Sequence, residues 1–179
     1  MCIRDRANGR IVAFGSVADN LVDGDTNGHS DIFIYTQTGE DQPAPDDGQG
    51  PPSDGFVRGS LTLVPRLSDG TQGNSFSDTP SVSVDGRFIA FRSGADNLVA
   101  GDTNGGHDIF VLDRQTDEMT LVSRRSDGTI GNGGSYDPVI SADGRFVAFT
   151  SIDDSLVEDD TNEQWGGPEV MVEPRLHGQ

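Results

Sequence analysis

The hydrophobic positions of this chain come in short runs of five to seven residues, separated by glycine, asparagine and aspartate. Between residues 80 and 123 four such runs occur, and none repeats apolar residues at helical spacing. Apolar runs of this length, rich in Val, Ile and Phe and bounded by turn residues, are typical of β-strands. The pattern therefore predicts an all-β chain, with strands over 80–84, 87–93, 108–113 and 119–123.

The same pattern recurs along the chain at a regular spacing. The sequence Asp-Gly-Arg-Phe-Ile-Ala-Phe begins at Asp85, and its near copy begins at Asp143. A third copy, Asn-Gly-Arg-Ile-Val-Ala-Phe, begins at Asn8, which is farther from Asp85 than Asp85 is from Asp143. The additional residues fall between 38 and 60, in a stretch rich in proline and glycine, and indicate an insertion in one hairpin. A period of about 58 residues indicates a repeat architecture in which each unit is one supersecondary structure.

Each unit is predicted to be an antiparallel meander of four strands, which we label a to d. In a meander the a–b and c–d turns share one end of the sheet, and the b–c loop shares the other end with the connection to the next unit. Such a sheet cannot bury both of its faces alone, and radial stacking of four-stranded sheets is the β-propeller solution. Because propellers typically close with about four to eight blades, the sequence predicts an incomplete propeller fragment.

The repeat predicts three blades of unequal completeness. Residues 1–80 are expected to form a first blade that lacks its first strand and carries the Pro/Gly-rich insertion at about 39–60. Residues 81–137 are expected to form a complete second blade, and residues 138–179 a partial, degraded third blade. The end with the long b–c loops is the expected working face, because loops on a rigid scaffold commonly carry recognition.

Composition excludes several classes of partner. The chain of 179 residues has 30 acidic and 12 basic side chains, and its formal charge of -18 repels nucleic-acid phosphates and anionic lipid. No apolar run is long enough to span a bilayer, so membrane insertion is not expected, and residues 1–10 lack the hydrophobic segment of a secretory signal. Cys2 is the single cysteine, so no intrachain disulfide can form.

The motif residues of the second unit resemble a known family of repeats. They are Ser-x-Asp-Gly-Arg at 83–87, an apolar strand ending in Ala-Phe-x-Ser at 90–93, and Asp-Ile-Phe-Val-x-Asp at 108–113. This combination resembles the TolB-type, WD-repeat-like β-propeller blade of bacteria. The resemblance implies an extracytoplasmic protein, periplasmic or secreted, and a protein-binding role of the TolB kind. The same blade also occurs in front of serine peptidase domains, so the resemblance leaves both roles open.

The b–c loop of the first unit carries the strongest candidate for metal chemistry. Residues 23–31 read Asp-x-Asp-x-Asn-Gly-x-x-Asp, which matches the spacing of oxygen ligands and glycine in the first nine positions of an EF-hand calcium loop. The twelfth position is Ile34, so the bidentate Glu is absent. The alternative is a plain turn in which Asp and Asn bond the local backbone. The candidate calcium ligands of the first two loops are Asp23, Asp25, Asn27, Asp31, Asp102, Asn104 and Asp108.

Four other residues are candidates for function, and each has a structural alternative. His29 and His107 lie in b–c loops, where acid-base or metal chemistry is conceivable but a histidine is usually just exposed. Tyr136 and Trp165 lie on long loops, where an aromatic ring either binds a sugar or peptide or caps the core between blades.

No catalytic constellation is expected in this chain. It has no Gly-x-Ser-x-Gly, no His-Glu-x-x-His and no phosphate-binding glycine loop. We therefore predict no cofactor other than calcium, which the b–c loops leave open. The predicted function is a non-catalytic β-propeller scaffold or binding module for a protein, peptide or glycan. The alternative is the propeller domain of a serine peptidase or other hydrolase whose catalytic domain lies outside this chain.

Overall fold

The computed structural model describes residues 3–6, 10–37, 59–67, 69–125, 127–153, 155–156 and 169–174. Over these ranges the chain folds into strands and turns, as the sequence predicts, and none of it forms a helix that could cross a membrane. The described strands are β1 (Ile3–Arg6), β2 (Ile11–Ser16), β3 (Asp31–Gln37), β4 (Gly59–Val64), β5 (Ser77–Val82), β6 (Phe88–Ser93), β7 (Asp108–Asp113), β8 (Glu118–Leu121), β9 (Ser135–Ile140), β10 (Phe146–Ser151) and β11 (Glu169–Pro174).

The strands form three antiparallel sheets. The first consists of β1 to β4 and the second of β5 to β8, each in sequential order, and the third contains β9, β10 and β11 with β10 in the middle. Each sheet is therefore a meander, as the repeat predicts. In the second sheet, β7 lies where strand c is predicted, and β6 begins one residue later than predicted strand b. The first strand of that sheet, β5, begins three residues earlier than predicted, at Ser77.

The first sheet contains a first strand, although the sequence predicts that this strand is missing. Ile3–Arg6 pairs with β2 in antiparallel register, from Ile3 opposite Phe14 to Arg6 opposite Ile11. Three of the four residues of β1 are charged, so the strand has no apolar alternation by which a sequence pattern could reveal it. Edge pairing needs only backbone amides and carbonyls, which every residue except proline supplies. The insertion predicted at about 39–60 falls on residues outside those described, except Gly59 and Ser60, which begin β4.

The second sheet is covered on both faces, which explains why its central strands are apolar at almost every position. Successive side chains of a strand point to opposite faces of the sheet. In β6, Ile89 and Phe91 pack into a core shared with the first sheet, whereas Phe88 and Ala90 pack into a core shared with the third. The first core also contains Ile11, Ala13, Ile32, Ile34, Val64, Val82, Phe110, Leu112 and Leu121, and the second also contains Ile109, Val111, Val122, Ile140, Val147 and Phe149.

One side-chain contact recurs at both junctions between sheets. The residue that follows Gly-Arg in one unit lies against the glycine of the a–b turn in the next unit. A Cβ atom added to Gly86 would collide with Cδ1 of Ile11, and one added to Gly144 would collide with Cδ2 of Phe88. Phe146 is the next residue in this series, and it is 42% exposed whereas Phe88 is 3% exposed. The third sheet therefore presents on its outer face the side chain that the second sheet buries.

Backbone hydrogen bonds hold the loop end of one sheet against the start of the next. The amide of Ser77, the first residue of β5, donates to the carbonyl of Ser30 at 2.6 Å. In the same way the amide of Ser135, the first residue of β9, donates to the carbonyl of His107 at 2.7 Å. Ser30 and His107 both directly precede strand c of their units. The b–c loops of the first two sheets are therefore joined to the connections that lead into the following sheet.

Candidate cation sites and loop face

The first b–c loop is organised around Asn27. Its Nδ2 donates to Oδ1 of Asp31 at 3.2 Å and to the carbonyl of Gly73 at 3.1 Å. Its Oδ1 accepts the backbone amide of His29 at 2.9 Å. Gly28, the residue between them, has a φ of 70°, which glycine adopts more easily than any other residue. One asparagine thus closes the turn and bonds the loop to the connection before β5.

The second b–c loop repeats this arrangement. Nδ2 of Asn104 donates to the carbonyl of Gly131 at 3.0 Å, and its Oδ1 accepts the amide of Gly106 at 2.9 Å. Gly131 lies one repeat period after Gly73, so the two loops contact equivalent carbonyls. Both loops therefore contain the bonds from an asparagine to the local backbone that a plain turn would have. Whether the loops also bind a metal ion depends on their carboxylates.

Each loop brings two aspartates together with oxygen atoms that make no hydrogen bond. In the first loop these atoms are Oδ1 of Asp25 and Oδ2 of Asp31, and in the second they are Oδ1 of Asp102 and Oδ2 of Asp108. All four atoms are buried and have no hydrogen-bond partner in the part of the chain that the structure describes. Asp31 is 0%, Asp108 2% and Asp102 8% exposed. A buried carboxylate oxygen without a partner is costly, so its presence at equivalent positions in two units needs a physical reason.

The proton affinities of these aspartates reflect their burial. Burial raises the pKa of Asp31 from 3.8 to about 6. The hydrogen bond from Asn27 and the charge of His29 lower this pKa, whereas the charge of Asp25 raises it further. Burial likewise raises the pKa of Asp102 to about 6, and the charges of Asp108 and Asp96 add to the increase while the backbone at Asn104 opposes it.

The pKa of Asp108 is also raised by burial, although Ser123 donates to its Oδ1 at 2.7 Å and thereby lowers it. The charge of Asp153, a 4% exposed residue after β10, raises the pKa of Asp108 further. Burial alone would also raise the pKa of Asp153, but hydrogen bonds from Ser155 and the Gly133 amide lower it. Asp153 therefore carries its negative charge at neutral pH, near the second loop.

Asp23 differs from the other predicted ligands of the first loop in its exposure. It is exposed, and the equivalent position of the second loop is Ala100. In the described chain, no group of three or more His, Cys, Asp or Glu side chains is placed to hold a metal ion. A cation in either loop would therefore take two aspartates and complete its coordination with backbone carbonyls and water, which are ligands that calcium accepts.

A second group of side chains lies at the same end of the second and third sheets. The guanidinium carbon of Arg92, in β6, lies 5.5 Å from the ring centre of Phe76 and 5.4 Å from that of Tyr136. The ring of His107 packs edge-on against both rings, at 5.0 Å and 5.7 Å. Nε of Arg92 donates to Oδ1 of Asp78 at 2.8 Å, which fixes the guanidinium. We call Phe76, Asp78, Arg92, His107 and Tyr136 the Arg92 cluster, and all five are partly exposed.

Only part of the Arg92 cluster is evident in the sequence. Tyr136 and His107 are candidates because of their loop positions, whereas Phe76 and Arg92 are not. No local pattern distinguishes these two, since the cluster forms only when β6 and β9 of successive sheets meet. Among the other candidates, His29 is exposed in the first loop. Trp165 lies outside the described residues.

No protein-family model and no curated protein matches the sequence of this chain. Among solved structures, the chain is similar to TolB from Acinetobacter baumannii, with 17% identity, a TM-score of 0.44, and coverage of 97% of this chain and 30% of that one. TolB and two peptidases to which the chain is also similar all contain β-propellers. The antiparallel meanders of this chain, packed face to face with shared cores, have by themselves the architecture of β-propeller blades.

The similarity to the two peptidases is also at low sequence identity. The β-propeller domain of the trilobed protease from Pyrococcus furiosus has 14% identity and a TM-score of 0.41, with coverage of 98% of this chain and 43% of that one. The tricorn protease has 18% identity and a TM-score of 0.35, with coverage of 85% of this chain and 15% of that one. The chain thus spans less than half the length of each of these structures, and the likeness concerns the fold alone.

Proposed function

We propose that this chain is a non-catalytic β-propeller module that binds a protein, peptide or glycan at the loop end of its blades, and that calcium stabilises its b–c loops. The observation that supports ligand binding is the Arg92 cluster. Two partly exposed aromatic rings flank a guanidinium at the end of the blades that carries the long loops. Aromatic faces of this kind stack on sugar rings and on peptide side chains.

The Arg92 cluster is preorganised for binding. Arg92 forms an ion pair with Asp78 and lies within cation-π distance of both rings, so its side chain and theirs hold each other in one orientation. A ligand would therefore lose little side-chain freedom from the protein when it binds. The net charge of -18 favours partners with neutral or basic surfaces. An extracytoplasmic location completes the proposal, because weak calcium sites are typical of extracellular modules.

The test is to pan a peptide library and a glycan array with the intact chain and with variants of the Arg92 cluster. We expect Tyr136→Ala to lower the affinity for any selected ligand at least about tenfold, because truncating a central aromatic anchor commonly costs more than about 2 kcal/mol. The matched control is Arg145→Ala, because Arg145 also lies over a ring, that of Phe146, but at the opposite end of the blade. An equal loss in both variants, or the absence of any selected ligand, would overturn the ligand-binding half of the proposal.

A further inference from the structure

The two b–c loops share a feature that their surroundings do not explain. In both loops the same two aspartates have one buried oxygen each without a hydrogen-bond partner in the described chain. One neighbouring hydrogen-bond donor differs, since Ser123, which bonds Asp108 in the second unit, is replaced by Pro65 at the equivalent position of the first. The unpartnered oxygens recur although this donor does not, so a common ligand explains them better than this hydrogen bond does.

We infer that the first and second b–c loops each bind one hard divalent cation of the calcium class, and that the ion fastens each loop to the connection leading into the next blade. This inference rests on the calcium half of the proposed function and assigns its atoms. In the first loop the ion is held by Asp25 and Asp31. In the second it is held by Asp102 and Asp108.

A cation explains these atoms better than a proton does. The other oxygen of the deeper aspartate in each loop already accepts a hydrogen bond, from Asn27 to Asp31 and from Ser123 to Asp108, whereas the unpartnered oxygens have no donor among the described residues. The ion pairs of the described residues involve other carboxylates, those of Asp113 and Asp78. Arg66, which contacts the first loop, donates to the carbonyl of Gly24 at 3.2 Å and forms no ion pair with the aspartates of that loop. Hard divalent cations prefer carboxylate and carbonyl oxygens, and both loops supply unpartnered carboxylate oxygens.

The fastening follows from what each loop contacts. In the first loop Thr26 donates from its amide and its hydroxyl to Oε1 of Gln72, and Nε2 of Gln72 donates to the carbonyl of Gly24. Asn27 donates to the carbonyl of Gly73, as Asn104 does to that of Gly131. An ion that orders the loop therefore also orders the connection before β5 or β9.

The two sites are not expected to be equally strong. Asp153, which belongs to the third blade, adds a negative charge near Asp108. The equivalent residue beside the first loop is Ala95, which lies one repeat period before Asp153. Calcium affinity rises with the number of nearby carboxylates. We therefore expect the second site to bind calcium several-fold more tightly than the first.

Calorimetric titration of calcium chloride into the intact, chelator-treated chain tests the inference. The wild type should bind two ions, with dissociation constants between about 10⁻⁵ and 10⁻³ M. Asp31→Asn and Asp108→Asn should each remove one of the two sites. Asp23→Asn is the matched control, because Asp23 belongs to the same motif but is exposed, and it should retain both sites. Absence of heat together with no rise in the melting temperature at millimolar calcium would overturn the inference, as would an Asp31→Asn/Asp108→Asn double variant that binds like the wild type.

Hydrogen exchange tests the fastening. Calcium should slow amide exchange not only in residues 23–31 and 100–108 but also in residues 65–76 and 124–134. Protection confined to the loops would overturn the fastening. Ligand binding measured with a chelator present separates this inference from the proposed function. If ligand binding persists in a chain that shows no heat of calcium binding, the cation inference fails and the ligand-binding proposal stands. If calcium binds but no ligand is selected, the ligand-binding proposal fails and the cation inference stands.

Discussion

The repeat offers one side chain in two environments, which permits a controlled test of how the blades hold together. Phe88 and Phe146 follow the same Gly-Arg dipeptide, one repeat period apart. Each lies under the guanidinium of the preceding arginine, at 4.7 Å for Phe88 and 5.4 Å for Phe146. They differ in burial, since Phe88 is 3% exposed against the third blade and Phe146 is 42% exposed. Substituting each by alanine therefore isolates the energy of packing against a following blade.

The expected difference can be worked out from the burial. A phenylalanine buries about 150–250 Å², so the gap between 3% and 42% exposure corresponds to roughly 80 Å² of apolar surface. At about 25 cal/mol per Å² this surface contributes about 2 kcal/mol. Phe88→Ala also leaves a cavity between two sheets, and buried Phe→Ala substitutions cost about 3–5 kcal/mol in total. The loss of the cation-π contact, about 0.5–1 kcal/mol, occurs in both variants and cancels.

Urea unfolding followed by far-ultraviolet circular dichroism measures the two free energies of unfolding. We expect Phe88→Ala to lower the free energy of unfolding by at least about 2 kcal/mol more than Phe146→Ala does. Hydrogen exchange should locate the additional loss in β6 and β10, the strands on either side of the second core. Equal costs for the two substitutions would refute the reasoning, because they would mean that burial between blades contributes nothing beyond the sheet itself.

Two further predictions use the same matched design. Gly144 and Gly128 both have positive φ, 70° and 88°, but only at Gly144 would a Cβ collide with Phe88. Gly144→Ala should therefore cost about 1–3 kcal/mol more than Gly128→Ala in urea unfolding, and equal costs would contradict the contact. In a chelator, the folded state binds the proton of Asp31 more tightly than the unfolded state because burial and the charge of Asp25 raise its pKa to about 6. The contribution of Asp31 to stability should therefore fall as pH rises from about 4 to about 6, and Asp31→Asn should remove this fall. The melting temperature of wild type and variant, measured across this pH range, tests the prediction. A wild-type melting temperature that rises with pH relative to that of the variant would contradict it.

Much of the fold was predictable because its signals are local and repeated. Strand c of the second blade is bounded by Asp108 and Asp113, and a polar residue at each end of an apolar run marks a strand clearly. The first strand of the first blade was not predictable. Ile3–Arg6 has one apolar residue in four, and it joins the sheet through backbone pairing that leaves no mark on the sequence.

For the loop sites, the sequence predicts the contacts within each loop but not the contacts between the loop and other parts of the chain. The spacing of Asp25, Asn27 and Asp31 follows from the sequence, and the structure brings Asn27 and Asp31 into contact. The contact of Asn27 with the Gly73 carbonyl could not be predicted, because 46 residues separate the partners. The same limit applies to Arg92, whose aromatic neighbours come from two different blades.

The contact between Ile11 or Phe88 and the glycine of the following turn gives each repeat unit a direction. A unit carries the protruding side chain on one face and the glycine notch on the other. Tandem duplication of a whole repeat period therefore adds one more matched junction without creating a new kind of exposed face, wherever in the gene it occurs. Recombination out of phase would place the protruding side chain against a residue that has a Cβ atom. A change in the number of blades that keeps every such contact therefore adds or removes whole repeat periods.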